Sequence, residues 1–296
     1  MSTVFATQAV AETPAPGTAA AMVERVTGTG DLLRNSAADA ALPATAQGSV
    51  KLPGGDAPVA VRLPATKDVA GVTTKAGTVV YPDAAASTDV AAQATNDGGV
   101  RTLVILKDGR AAKQQRFGLE LPEGTEIRET ASGEYDLVQR LGEGLENVLA
   151  TIGAPWAKDA NGKDLATRYR IEGHDLVQEI DADSRTAYPV VADPKITYGK
   201  GVYFSALTAE WKAYATIAVS AAYGGALYTC TAAKLPAKIT GVAKMVCGAG
   251  AFSGWKNYVN LLKKVNDMKL DAGACYQTKI APSNGKLAKV RMKNCK

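Results

Sequence analysis

Histidine is nearly missing from this chain: His174 is the only one in 296 residues. A single imidazole excludes a multi-histidine metal centre and a histidine-based triad anywhere in the C-terminal third. Its setting, Glu172-Gly173-His174-Asp175 at the entry to a strand-like run, reads as a surface turn. Cysteine is absent before Cys230, and Cys230, Cys247, Cys275 and Cys295 are separated by 17, 28 and 20 residues, which matches no zinc spacing. No glycine-rich nucleotide loop with its following acid is present. Aromatics make up only 6% of the residues against 46% hydrophobic, with alanine supplying much of the difference, so two modest cores are expected rather than one dense core. The acid pairs Glu126/Glu129 and Asp181/Asp183 sit in a half so rich in carboxylates that such pairs arise by chance. Asp83, Asp89 and Asp97 lack the spacing of an EF-hand loop and are expected to be solvated turn residues. No cofactor, no metal and no enzymatic reaction are expected.

What the chain does have is charge of opposite sign in its two parts. From Lys195 to Lys296 there are fifteen Lys and one Arg against Glu210, Asp267 and Asp271, a formal +13, which leaves the preceding part at −8 and the whole at +5. Inside the basic block, Ala213 to Ala233 runs for 21 residues without a charge between Lys212 and Lys234. That length suits a membrane-crossing helix, but Ala, Gly, Ser and Thr make it too weakly apolar for a permanent anchor. A buried core helix and a conditionally inserting helix both remain open. Small residues such as Ala221, Ala222, Gly224 and Gly225 permit close helix packing in either case.

Along the chain, Ala9-Val10-Ala11 before Glu12 has the small-x-small form of a signal cleavage site, and is expected to be the tail of a secretory signal that begins upstream. Residues 1–48 are read as this remnant plus a disordered spacer, with a short helix around Met22–Val26. From Ser49 to Pro194 short β-branched runs alternate with turn signals. The clearest runs are Val59–Leu63, Gly77–Pro82, Val100–Leu106, Gln115–Leu121, Thr125–Thr130, Tyr135–Gln139, Thr167–Ile171 and Leu176–Ile180. Strands of this length at such spacing predict an antiparallel β-sandwich.

Three motifs in that region carry a resemblance. Val80-Tyr81-Pro82-Asp83 with Asp89 and Asp97-Gly98-Gly99-Val100, then Ala154-Pro155-Trp156-Ala157-Lys158-Asp159-Ala160-Asn161-Gly162, then Tyr188-Pro189-Val190-Val191-Ala192-Asp193-Pro194, resemble a β-rich module of exported actinobacterial proteins. The resemblance covers Ser49 to Pro194 and implies export and a carrier role for a variable C-terminal segment; it brings no catalytic residue. Tyr198-Gly199-Lys200-Gly201-Val202 is also similar to the YGNGV of pediocin-like bacteriocins, with Lys200 in place of Asn and without the cysteine that follows there.

Pro194 is read as the boundary, since proline restricts Asp193 and ends regular structure. Residues 195–296 are expected to form a small disulfide-linked helical domain ending in a β-hairpin, so that the fold class is α+β in two domains. A first helix starts near Ala209, a second at Pro236, and a third from about Ser253 with Trp255, Tyr258, Val259, Leu262, Val265 and Met268 on its apolar side. Cys275 and Cys295 flank the expected hairpin and are paired, which leaves Cys230 with Cys247. Fifteen lysines on about a hundred residues create a positive field, and the preference for Lys over Arg favours point-charge attraction to a polyanionic surface over base-specific nucleic-acid recognition. Lys234, Lys238, Lys244, Lys256, Lys263 and Lys264 are the candidate contacts for anionic lipid or cell-wall polymer. The expected protein is thus secreted or envelope-associated, with a cationic domain acting as an antimicrobial or toxin-like effector that an acidic N-terminal module restrains; an immunity protein would then be a further partner. The alternative is a structural or adhesion protein of the cell envelope with a basic wall-binding domain.

Overall fold

A computed structural model describes residues 16–33, 42–52, 59–142, 144–219, 239–240, 242–243, 252–281 and 285–295. The expected signal remnant, residues 220–233 of the uncharged stretch, the middle helix from Pro236 apart from 239–240 and 242–243, which are helical, and Cys230, Cys247, Lys234, Lys238 and Lys244 lie outside them. The chain divides into two compact units that are interleaved in sequence. One comprises Met1–Pro122, Ala131–Glu134 and Ile152–Tyr198, the other Glu123–Thr130, Tyr135–Thr151 and Gly199–Lys296.

The first unit holds two antiparallel sheets in a sandwich-like arrangement. In one, β1 (Ser49–Lys51), β2 (Ala60–Arg62), β7 (Gln114–Glu120), β13 (Asp175–Ile180) and β12 (Thr167–Glu172) pair in that order. In the other, β3 (Val72–Thr73), β4 (Val79–Ala85), β5 (Thr88–Ala94) and β6 (Val100–Leu106) form a meander. β6 then pairs with β14 (Val190–Ala192), itself bonded to β11 (Ala157–Lys158), and with the first residues of β15 (Lys195–Leu207). β6 is dense in β-branched residues and buried except for the half-buried Arg101. Its turn from β5 depends on glycine: Gly98 sits at φ +75°, and a Cβ on Gly99 would come within 2.8 Å of the Ile196 carbonyl.

One expectation is corrected here. The short helix expected around Met22–Val26 is there, but it extends over Pro16–Thr27 as α1 and packs against the β4–β5–β6 face, so this part of the region read as spacer is ordered. Ala19, Ala20, Met22 and Val23 line one side of the helix and join Val80, Ala91, Leu103, Ile105 and Val191 in a common core. Small alanines bring the helix close, and Val23 is fully buried; burial of that stripe offsets the ordering entropy that composition alone suggested was prohibitive. Gly28 at φ +76° ends the helix, its N–H donating to Glu24 O at 2.9 Å.

In the second unit β8 (Thr125–Glu129), β9 (Tyr135–Gly142), β10 (Leu145–Ile152) and β15 are neighbours in that order; β16 (Cys275–Ala281) pairs with the other edge of β15, and β17 (Leu287–Val290) with β16. Gly144 stands at φ +73°, where a Cβ would lie 2.4 Å from the Ser205 carbonyl, so the turn into β10 can meet β15 only without a side chain. The C-terminal segment is therefore mixed: the extended lead-in becomes a 13-residue strand, and α2 (Thr208–Val219) and α3 (Phe252–Val265) accompany the sheet.

Candidate anion-binding surface

The C-terminal lysines stand on an aromatic core. α2 begins where Glu210 turns back so that its carboxylate accepts the Leu207 N–H at 2.8 Å, one half of a capping box. The Thr208 hydroxyl donates to Asp271 O at 2.6 Å, fixing the start of α2 to the loop ahead of β16. Trp211, fully buried, donates its indole N–H to Tyr276 O at 3.0 Å. Phe204 of β15 meets Trp211 edge-on at 5.3 Å and Tyr258 of α3 at 5.8 Å, while Trp255 lies 5.7 Å from Tyr258. Few aromatics in the sequence are thus concentrated in one place, where each ring contributes large buried area.

That core fixes which way α3 faces. Trp255, Tyr258, Val259, Leu262 and Val265 are buried and Met268 packs against the same cluster. At 100° per residue Lys256, Asn260, Lys263, Lys264 and Asp267 fall on the opposite arc. Lys256 and Lys264 are exposed and Lys263 is half-buried. Of the six lysines read as contacts from the sequence, the structure describes these three, and it brings all three to one face of one helix. Lys212 on α2 and Lys269 beyond α3 are further exposed lysines that the sequence reading did not single out. Among the described residues no carboxylate pairs with Lys212, Lys256, Lys264 or Lys269.

The hairpin carries the expected bridge. Cys275 and Cys295 are joined with Cα atoms 5.9 Å apart. Cys275 opposes Val290 in the ladder, so Cys295 reaches it from the short 3-10 turn Met292–Cys295 rather than across the strands. Lys289 pairs with Asp271 at 2.7 Å on an exposed rim, and Lys279 lies over the Tyr203 ring at 5.9 Å.

The carboxylates of the second unit follow another pattern. Two of those on β8 and β10 are engaged by arginines: Arg128 holds the buried Glu146 through two bonds of 2.8 and 2.9 Å, and Arg140 holds Glu126 at 2.9 Å. Burial pushes the Glu126 carboxyl up, but Arg140 and Arg128 outweigh it and hold the group below its ordinary value. Counted over its sequence ranges, the second unit has seventeen basic and nine acidic residues, a net +8, and the first unit −3.

In the first unit Asp83, Asp89 and Asp97 are structural residues of another kind than expected. Asp89 is fully buried; its Oδ1 lies 2.8 Å from Lys107 Nζ and accepts the Asp83 N–H at 2.7 Å, and Asp83 itself pairs with Lys107 at 2.6 Å. The expectation of a solvated turn aspartate fails at Asp89 because the meander folds Lys107 in over it. Asp97 accepts from Lys195 at 2.7 Å and from the Thr95 hydroxyl at 2.5 Å, and these partners outweigh burial and lower it to about 2. His174 is exposed in its turn. An open cleft of about 670 Å³ runs past Arg62, Arg116, Gln115, Thr66 and Asp175, unannounced by any motif. Its arginines are already matched, Arg116 by Asp175 at 2.9 Å and by Glu172, Arg62 by Glu120 at 3.7 Å. Among the described residues no group of three or more His, Cys, Asp or Glu is placed to hold a metal ion, and no helix is long and apolar enough to cross a membrane. No protein family, curated protein or solved structure matches this chain.

Proposed function

We propose that the protein is exported and that its lysine-bearing C-terminal part, built on α2, α3 and the disulfide-closed hairpin, binds anionic surfaces without catalysing a reaction. The observation that carries this reading is the sorting of charge in the second unit: Arg128 and Arg140 take up Glu126 and Glu146 of β8 and β10, while Lys212, Lys256, Lys264 and Lys269 stay exposed without an acidic partner among the described residues. The Cys275–Cys295 bridge supports an oxidising destination, and a Cys230–Cys247 bridge belongs to the same reading. The surface is a lipid headgroup layer or a wall polymer, with the acidic first unit moderating attraction to it in an effector that perturbs that surface. A lysine near an anionic membrane contributes roughly 1 kcal/mol. Co-sedimentation of the full chain with vesicles of anionic and of neutral lipid tests the reading. K256Q/K264Q/K269Q is expected to bind anionic vesicles on the order of a hundredfold more weakly. Equal affinity for neutral vesicles, or unchanged affinity in the triple variant, overturns it.

A further inference from the structure

Asp193 is 1% exposed, and nothing in the binding reading uses it. Its Oδ1 accepts the Trp156 N–H at 3.0 Å and the Tyr169 hydroxyl at 3.0 Å, and its Oδ2 accepts the Lys195 N–H at 3.3 Å. The last bond spans two residues and closes an Asx-type turn, which folds the carboxyl over the Asp193–Pro194 peptide group. Trp156 and Tyr169 keep it from swinging away. Pro194 is pinned from the other side, its carbonyl accepting the Thr102 N–H at 2.9 Å. The sequence contains no other Asp-Pro pair.

We propose that the chain cuts itself at the Asp193–Pro194 bond. A neutral Asp193 carboxyl oxygen attacks the backbone carbonyl carbon of Asp193 and forms a five-membered cyclic anhydride. The acid proton passes to the Pro194 nitrogen, the C–N bond breaks, and proline leaves as a secondary amine. Water then opens the anhydride, so that the net change is hydrolysis of one peptide bond, with Asp193 as a new C-terminus and Pro194 as a new N-terminus. Proline suits this step because its tertiary amide nitrogen is more basic than that of other peptide bonds. Keeping the carboxyl in one turn with the peptide group it would attack supplies the proximity that intramolecular reactions exploit. The proton is supplied by the same burial: removal from water lifts the Asp193 carboxyl to about 7, against the bonds from Trp156, Tyr169 and Lys195 that favour the anion. The titratable group facing it is the Tyr169 phenol from β12, which burial raises well above its ordinary value; the Lys195 ammonium is turned to Asp97.

This inference rests on the Asp193 geometry and deepens the binding reading by separating residues 1–193 from 194–296. The pieces stay joined under native conditions, because β15 pairs with β6 at Lys195 and Ile196 and, further along, with β10 and β16. The test is denaturing mass spectrometry of the full chain after incubation between pH 5 and 7, natively folded or in urea. The native chain should yield fragments 1–193 and 194–296 at least about tenfold faster than the unfolded chain, at a rate independent of protein concentration. In ¹⁸O-water one label should enter at Asp193. P194A keeps the carboxyl and its turn while replacing the leaving group, and should not cut; D193N should not cut either. An intact native chain, cleavage no faster than in urea, or cleavage in folded P194A overturns the proposal. Vesicle binding is read separately, so a chain that binds without cutting, or cuts without binding, shows which of the two readings fails.

Discussion

At the scale of single residues, two carboxylates behave in opposite ways, the buried Asp193 and the exposed Asp97. Asp193 is neutral-prone, so its fold contribution has an unusual sign. A carboxyl whose folded pKa is raised binds its proton more tightly when native; the stability it lends is complete below the unfolded value near 4 and is lost as pH rises through about 7. The first unit should lose up to about 4 kcal/mol from this group across that window. D193N should flatten the slope in urea unfolding measured from pH 4 to 7. Asp97 works the other way: its pKa, lowered to about 2, gives stability above the unfolded value that is lost between about pH 4 and 2. Asp89 is different again, being fully buried beside Lys107, whose side chain is 7% exposed. Lys107→Met would strand a buried carboxylate and should cost about 3 kcal/mol, most of it recovered in the K107M/D89N double variant; urea midpoints decide it. None of this was visible in the sequence. Asp89 and Asp193 look like any turn aspartate there, because burial is set by strands arriving from elsewhere in the chain.

Elements were legible where local chemistry and tertiary demand agree. β6, with Val, Thr and Ile in alternation with turn glycines at its start, occupies the predicted residues, as do β7 and β13 to within one position. The apolar side predicted for α3 is the side that is buried. β5 and β10 were missed for one reason: Thr88–Ala94 is mostly alanine and small polar residues, and Leu145–Ile152 mixes Leu, Glu and Ala, so neither has a strong strand propensity. Both are held as strands by neighbours on each side. The pairing of Cys275 with Cys295 was read from symmetry about a turn, and the bridge is there although Cys295 lies beyond the paired strands. For a separation of 20 residues, C275A/C295A should lower stability by roughly 3 kcal/mol in thermal or denaturant unfolding.

On the scale of the whole molecule, charge and chain order part company. The sequence places +13 after Pro194, but the strands β8–β10 bring carboxylates into the unit that holds those lysines and reduce its formal charge to +8. No local signal announces that β8–β10 join a segment fifty or so residues further on, since strand pairing leaves no mark on composition. A fragment of residues 199–296 alone lacks the β10 partner of β15 and the Gly144 contact with Ser205. It should show no cooperative unfolding by circular dichroism, while co-expression with residues 123–151 should restore a transition. Binding to anionic vesicles by the intact chain should weaken steeply as salt approaches 0.15 M, where the screening length is about 8 Å; a flat salt profile would point to apolar insertion instead.

The interleaving of the two units also sets a timetable. A chain made or threaded N-terminus first presents β8–β10 long before β15 exists to bond β10, and the aromatic core of the second unit waits longer still, for Trp255 and Tyr276. Until those residues emerge, the lysine face has no finished scaffold beneath it. Delivery of α3 and β16 is therefore the event that completes the support for that face, and a ribosome or translocation channel still holding those elements would keep it unassembled.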